Sequence, residues 1–199
     1  MLTFDEAAHK YFWHSKPVPN VTSILSPLTD YSMIPPSQLE IARQKGVAAH
    51  KTVELWCKGD LDETNLPQWL GPVLTKWCDF VSHTGFRVLE SEKRIYHPIY
   101  GYAGTLDLFG FMDHIGKFAL VDIKRSFFAG QAIGLQLAAY LAAYAETNDM
   151  REARNARRYA LRLNETGPIR LQEFTDPGQF GEFVALLTAQ RVKEKYERT

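Results

Sequence analysis

The stretch "ALVDIKRS", residues 119–126, sets Asp122 and Lys124 two positions apart in what otherwise reads as a buried strand. Alternation along a strand sends both side chains to one face, while Val121 and Ile123 point the other way into core. A self-neutralising ion pair is one reading of that spacing. Partners on the same strand are poorly oriented for a bidentate contact, however, and a buried pair is a weak argument for stability. A second carboxylate decides the matter. The segment "GYAGTLDLFG" carries Asp107 in another apolar context, and a hairpin-like return through "DHIGK" would bring it beside Asp122. Two carboxylates crowded near a lysine raise a pKa and neutralise one of the pair unless a cation holds them. Mg²⁺ suits such a place, because it binds one or two carboxylates, keeps waters and takes phosphate oxygens as its remaining ligands.

The elements that must position these residues follow from hydrophobic period and punctuation. "FRVLESEKRIYHP" and "GYAGTLDLFGFM" are rich in β-branched and aromatic residues, and "FALVDIKRS" is a nearly continuous apolar run, so three strands in series form a meander with the last one central. "QAIGLQLAAYLAAYAETND" has a helical stripe, "RRYALRLNETGPIRLQEF" reads as strand, turn and strand, and the tail from Pro177 is an amphipathic closing helix. Upstream, "PPSQLEIARQKGVAAHKTVELWCKG" has helical spacing, with Pro35 and Pro36 before it, Gly59 beyond its end and Leu39, Ala42, Val47, Val53 and Leu55 as its apolar positions. Gly46 sits inside that helix, where it costs up to ~1 kcal/mol relative to Ala. A second helix over residues 66–85 is kinked or restarted near Pro72 and stopped by Gly85. The opening predicts two short strands around a turn at residues 14–16, then a short helix capped by Thr22 or Ser23. The expected architecture is α/β: a central mixed sheet flanked by helices, with an N-terminal β-hairpin appendage. One domain is expected over 1–199, with residues 1–30 as hairpin and first helix and 37–199 as the core.

Composition sets bounds on function. With 199 residues, 45% hydrophobic and 13% aromatic, the chain buries one substantial core. No apolar run approaches the ~18 residues that span a bilayer, and the N-terminus lacks a basic segment followed by an apolar one, so a cytoplasmic protein without a membrane partner is expected. Cys57 and Cys78 are too few for a zinc cage and read as unpaired thiols. No P-loop is present, hence no built-in motor. The 23 basic and 23 acidic residues cancel, whereas a nucleic-acid binder usually shows a basic excess. If several acids gather in one metal site, the remaining surface is net basic. "REARNARR", with Arg151, Arg154, Arg157 and Arg158, is the densest candidate patch, a solvated surface segment being the competing reading.

Taken in order, four short motifs resemble those of the RecB-type exonuclease branch of the PD-(D/E)XK nuclease superfamily. They are "GVAAH" ending at His50, "GTLD" ending at Asp107, "DIK" from Asp122 to Lys124, and "QLAAY" from Gln136 to Tyr140. The segment "VPNVTSIL" is similar to phage and prophage members, and the resemblance covers roughly residues 18–145. It implies a restriction-endonuclease-like core and a metal-dependent deoxyribonuclease, most simply an exonuclease in DNA recombination, repair or processing in a bacterial or phage-infected cell. A structure-specific endonuclease, an RNase of the same fold and an inactive DNA-end-binding module are the alternatives. By the same resemblance, Asp107, Asp122 and the Ile123 carbonyl ligate Mg²⁺ or Mn²⁺, and His50 adds an imidazole ligand that tolerates Mn²⁺ well. Lys124 orients or helps deprotonate the attacking water and stabilises charge on the phosphate. Glu92 fits the acid one strand earlier, with Glu90 on the same face left open. Gln136 and Tyr140, an i, i+4 pair, support the site and touch DNA, and Arg125 and Ser126 contact backbone phosphate. Relatives with an iron–sulfur cluster use four cysteines; two here imply none. The expected partners are single-stranded DNA or duplex ends, and a homo-oligomer or recombination protein that keeps the enzyme on its substrate.

Overall fold

A computed structural model describes residues 1–125, 130–148 and 150–197. Three short strands come first, β1 (Leu2–Asp5), β2 (Lys10–Trp13) and β3 (Lys16–Val18), and five follow in the body, β4 (Phe86–His97), β5 (Tyr102–Met112), β6 (Lys117–Lys124), β7 (Arg157–Arg162) and β8 (Arg170–Glu173). The helices are α1 (Val21–Leu25), α2 (Pro36–Lys58), α3 (Gly71–Thr84), α4 (Gly130–Asn148) and α5 (Gln179–Glu197). The body strands form one mixed sheet in chain order, β4 through β8. β4, β5 and β6 make the antiparallel meander, β7 runs parallel to β6, and β8 returns antiparallel. A parallel neighbour requires a crossover, and α4 supplies it.

Helices cover both faces of this sheet, so its central strands are apolar on both sides. On one face α1, α4 and α5 pack Ile24, Leu137 and Phe183 against Leu106, Phe109 and Leu120. On the other, α3 and the C-terminal half of α2 pack Val53 and Trp77 against Leu108, Val121 and Ile123. β6 thus sends Leu120 one way and Val121 and Ile123 the other, with Asp122 left on the α4 face. Among the described residues, no helix is long and apolar enough to cross a membrane.

Three expectations need correction. The N-terminal hairpin is a three-stranded antiparallel sheet, because "LTFD", in which Leu2 and Phe4 alternate with Thr3 and Asp5, adds β1 alongside β2. The cap of α1 is Asn20, whose extended backbone lets Oδ1 accept the Ser23 N–H at 2.7 Å and the Thr22 hydroxyl at 2.8 Å. This segment is also no loose appendage: Val21 and Ile24 lie in the main core, Trp13 stacks on Tyr96 with ring centroids 4.2 Å apart, and the Tyr11 hydroxyl bonds that of Thr105 at 2.7 Å. The third correction concerns α2. Its buried residues are Ala49, Thr52 and Val53, whereas Leu39, Ala42 and Val47 face solvent. Only the second half of the helix meets the sheet; its start stands out beside Met33 and Ile34, also exposed.

Candidate metal centre

The site forms where β5 and β6 part. Their ladder runs from Met112↔Lys117 to Leu108↔Val121 and stops there. One step further, Asp107 and Asp122 would face each other. Instead of a backbone bond, the Asp107 carboxylate enters the gap and its Oδ2 accepts the Ile123 N–H at 2.7 Å. On the other side of β5, the pairs Ser91↔Leu108 and Lys93↔Leu106 put Glu92 across from Asp107. The register of β4 slips between Val88 and Glu90, and Glu92 itself has φ 49°, a left-handed conformation in mid-strand. A non-glycine residue held there costs about 1–3 kcal/mol, and such outliers cluster at functional sites. The kink brings Glu92 rather than Glu90 to the cluster; Glu90 is taken by Lys93 at 2.9 Å.

His50 descends from α2 onto these acids. Its Nε2 lies 3.0 Å from the Ile123 carbonyl oxygen, and its Nδ1 lies 3.5 Å from both Glu92 Oε1 and Asp107 Oδ2. Burial disfavours the imidazolium, but the Asp107 and Glu92 carboxylates outweigh it and lift the pKa to about 9. His50, Glu92 and Asp107 each offer a ligand atom, and those atoms all lie within 4.8 Å of one another. This is a donor set of mixed nitrogen and oxygen, suited to Mn²⁺ as well as Mg²⁺.

Asp122 stands beside this triple and not within it. Only 1% exposed, it accepts the Gln136 Nε2 donor on Oδ1 at 3.1 Å. Its Oδ2 lies 2.6 Å from Lys124 Nζ, a contact of charge that lacks the angles of a hydrogen bond, so that oxygen is buried without a directed partner. Burial pushes the Asp122 pKa up to about 6, with Asp107 adding to the rise and Lys124 opposing it. Burial likewise raises Asp107, against the pull of His50 and Lys124. Two desolvated carboxylates, Asp107 and Asp122, beside a three-ligand cluster are what a bound cation would relieve. The residues present fit a divalent ion.

α4 braces the site from above. Gln136 Nε2 also donates to the Tyr140 hydroxyl at 3.2 Å, so one amide ties the helix pair to Asp122. The Tyr140 ring fits because position 104 is glycine: a Cβ there would stand 2.6 Å from Tyr140 Cε1. The "GTLD" glycine is therefore a contact surface, a role its place in a short motif does not disclose.

The site opens into a cleft of about 800 Å³, with His50, Lys124 and Gln136 on its floor and Tyr31, Ile34 and Leu39 on one wall. The cleft lining also includes part of an ion lock that the sequence conceals. Glu165, in the turn after β7, joins Lys45 of α2 at 2.7 Å and the Arg125 guanidinium just past β6. These partners lie 120 and 40 residues from Glu165 in the chain, and no local spacing connects them. Arg125 thus lies in the cleft, engaged with a carboxylate. Ser126 and the Arg151 side chain lie outside the described residues. Arg154, Arg157 and Arg158 are not brought to the site; they border a separate cavity at the other end of the sheet. No protein-family model matches the chain, and no curated protein matches it.

Proposed function

We propose that the protein is a divalent-metal-dependent nuclease of the PD-(D/E)XK type and RecB-like branch that hydrolyses phosphodiester bonds in DNA, trimming strands from their ends. The observation that carries this reading is the convergence of His50, Glu92 and Asp107 with the Asp122–Lys124 pair at the gap between β5 and β6. His50, Glu92 and Asp107 would hold the ion, with Asp122 Oδ2 and the Ile123 carbonyl beside them. A bound Mg²⁺ or Mn²⁺ would supply Lewis-acid polarisation of the phosphoryl group and a more acidic water.

The chain's own groups do the rest. Lys124, a point charge on a flexible stem, orients the attacking water and stabilises negative charge on the phosphate oxygens. Gln136 fixes the Asp122 carboxylate, and Tyr140 fixes Gln136, so both act as positioning residues. The cleft admits a phosphodiester from the side of Tyr31 and Arg125. Its apolar wall resembles a surface for bases more than a groove for a duplex backbone.

A time course on end-labelled single-stranded and duplex DNA, linear against closed circular, tests the reading in Mg²⁺, Mn²⁺ or EDTA. Loss of label from linear DNA in a divalent ion alone is expected. Cutting of closed circles would make it an endonuclease, and parallel RNA substrates would expose a ribonuclease. Binding with no cleavage in any metal would overturn the enzymatic reading in favour of a DNA-end-binding module.

A further inference from the structure

The arginines after α4 line a cavity of about 950 Å³ that shares no lining residue with the metal cleft. It lies toward the start of β6 and β7. The register Leu120↔Arg158 sets Arg158 three residues from Ile123 along the sheet, about 10 Å at ~3.3 Å per residue. The cavity exists because α4 turns small residues to it, Ala138, Ala142 and Ala145, while Tyr100, Phe174 and Phe180 supply an aromatic wall.

Its charges do not cancel. Arg154, Arg157, Arg158 and Lys117 line it against Glu146 and Glu173, and with Asp176, whose carboxylate acts on Arg158, the rim keeps a net positive charge of one. Arg154 meets Glu146 at 2.8 Å and Arg157 meets Glu173 at 3.0 Å. These pairs are partly exposed and therefore weakly held, so an incoming anion can take over either guanidinium. Arg158 is held instead by main-chain oxygens, Asp176 at 2.7 Å and Gly134 at 3.5 Å. The Asp176 carboxylate accepts the Gly178 N–H. Lys117 makes no hydrogen bond or ion pair among the described residues. The N-terminus of α5 reaches the same mouth through Pro177 and Phe180, and its partial positive charge adds to the field.

We propose that this cavity binds a phosphate monoester carried by a nucleoside, its phosphate among the arginines and Lys117 and its base against the aromatic wall. A terminal phosphate carries close to two negative charges near neutral pH and offers three acceptor oxygens, so a net positive rim of guanidinium donors favours it. An internal phosphodiester carries one. The guanidinium forks suit such oxygens bidentately, and the volume is within the range of small-molecule sites. The inference is independent of the nuclease reading, since no residue is shared with the metal cluster.

Calorimetric titration of the full chain in EDTA with deoxyadenosine monophosphate tests it, with deoxyadenosine and inorganic phosphate as separate probes. Saturable binding of the nucleotide is expected, with each fragment weaker by roughly tenfold or more. Lys117→Ala should lose about tenfold in affinity while melting like the wild type, and Arg158→Gln should lose more. Because Arg158 also ties down the Asp176 loop, the exposed Lys117 variant keeps the test valid if Arg158→Gln fails to fold. A 5′-phosphorylated oligonucleotide that competes with the nucleotide, where its unphosphorylated form does not, would identify a strand end as the source of the same chemistry. Absence of saturable binding, equal affinity for inorganic phosphate, or unchanged affinity in Lys117→Ala would each overturn the proposal.

Discussion

The two ends of β6 handle charge in opposite ways. At its end, Asp122 is withdrawn from water beside Asp107 and His50, with Lys124 half-buried next to it and one carboxylate oxygen left without a directed bond. At its start, Lys117 and the neighbouring Arg157 and Arg158 of β7 are open to solvent or held by exposed carboxylates and main-chain oxygens. The first arrangement is costly in the absence of a ligand, because desolvated like charges raise each other's pKa. The second is cheap and adaptable. The fold maintains the costly end by packing α2 and α4 over it and by holding Glu92 at φ 49°.

The largest effects should come from breaking the buried end. On the proposed nuclease reading, Asp107→Ala and Lys124→Ala should each lower cleavage by at least roughly 10²–10³-fold, whereas Arg157→Ala at the open end should leave Mn²⁺ affinity unchanged, as Arg157 borders a separate cavity. Calorimetry with Mn²⁺ would separate the two buried residues: the Asp107 variant loses metal affinity and the lysine variant keeps it, an ammonium having no lone pair to offer. Wild-type turnover in either buried variant would dissolve the contrast.

A smaller but sharper effect is expected at Gly104. The added methyl of Gly104→Ala meets the Tyr140 ring at 2.6 Å and should destabilise the protein by about 1–3 kcal/mol, as overpacking does. Tyr140→Ala in the same chain should remove most of that cost, so the double variant is less destabilised than the sum of the singles. Additive losses in a urea-melt cycle would mean that the two positions are not coupled.

How much of this is legible in sequence depends on the kind of order involved. Strand alternation alone separates Asp122 and Lys124 from Val121 and Ile123, and a meander places Asp107 next to them. The choice between Glu90 and Glu92 is not legible, because it turns on a register slip and a left-handed residue that alternation cannot foresee. The arginines mislead for a topological reason. A parallel crossover returns the chain to the same end at which β6 began, so residues that lead into β7 lie away from Lys124 however close they stand in sequence. Amphipathic spacing in α2 misleads for another: Leu39 shares the stripe of Val53 but lies on the first half of the helix, away from the sheet, and Val47, six residues before Val53, is turned about 120° from it at ~100° per residue.

The cleft's ion lock should show a pH dependence of its own. Burial raises the Glu165 pKa, yet Lys45 and Arg125 outweigh it and hold the group at about 2. A carboxyl with a depressed folded pKa contributes stability fully above its unfolded value, ~4.5, and loses it as pH falls toward the folded one. The gap in urea midpoint between wild type and Glu165→Gln should therefore be constant from pH 7 down to about 5 and shrink toward pH 2. A gap that grows on acidification would contradict the lock.

The smallest effect belongs to Gly46, on the half of α2 that borders the cleft. A Cβ there meets nothing within 4 Å, and no left-handed backbone calls for glycine. Gly46→Ala should stabilise the helix by about 0.5–1 kcal/mol through reduced backbone freedom in the unfolded chain. Position 46 lines the cleft one helical turn before His50, so the same methyl narrows the approach to the metal cluster without touching it. Activity on a single strand should stay within about twofold, because one methyl in an 800 Å³ cleft leaves room for a strand. If stability rises as expected while cleavage of duplex ends falls and that of single strands does not, the cleft wall discriminates between substrates by width. That result would extend the contrast along β6 to α2: on the proposed reading the buried charges would carry the chemistry, and the open α2 wall would select what reaches them.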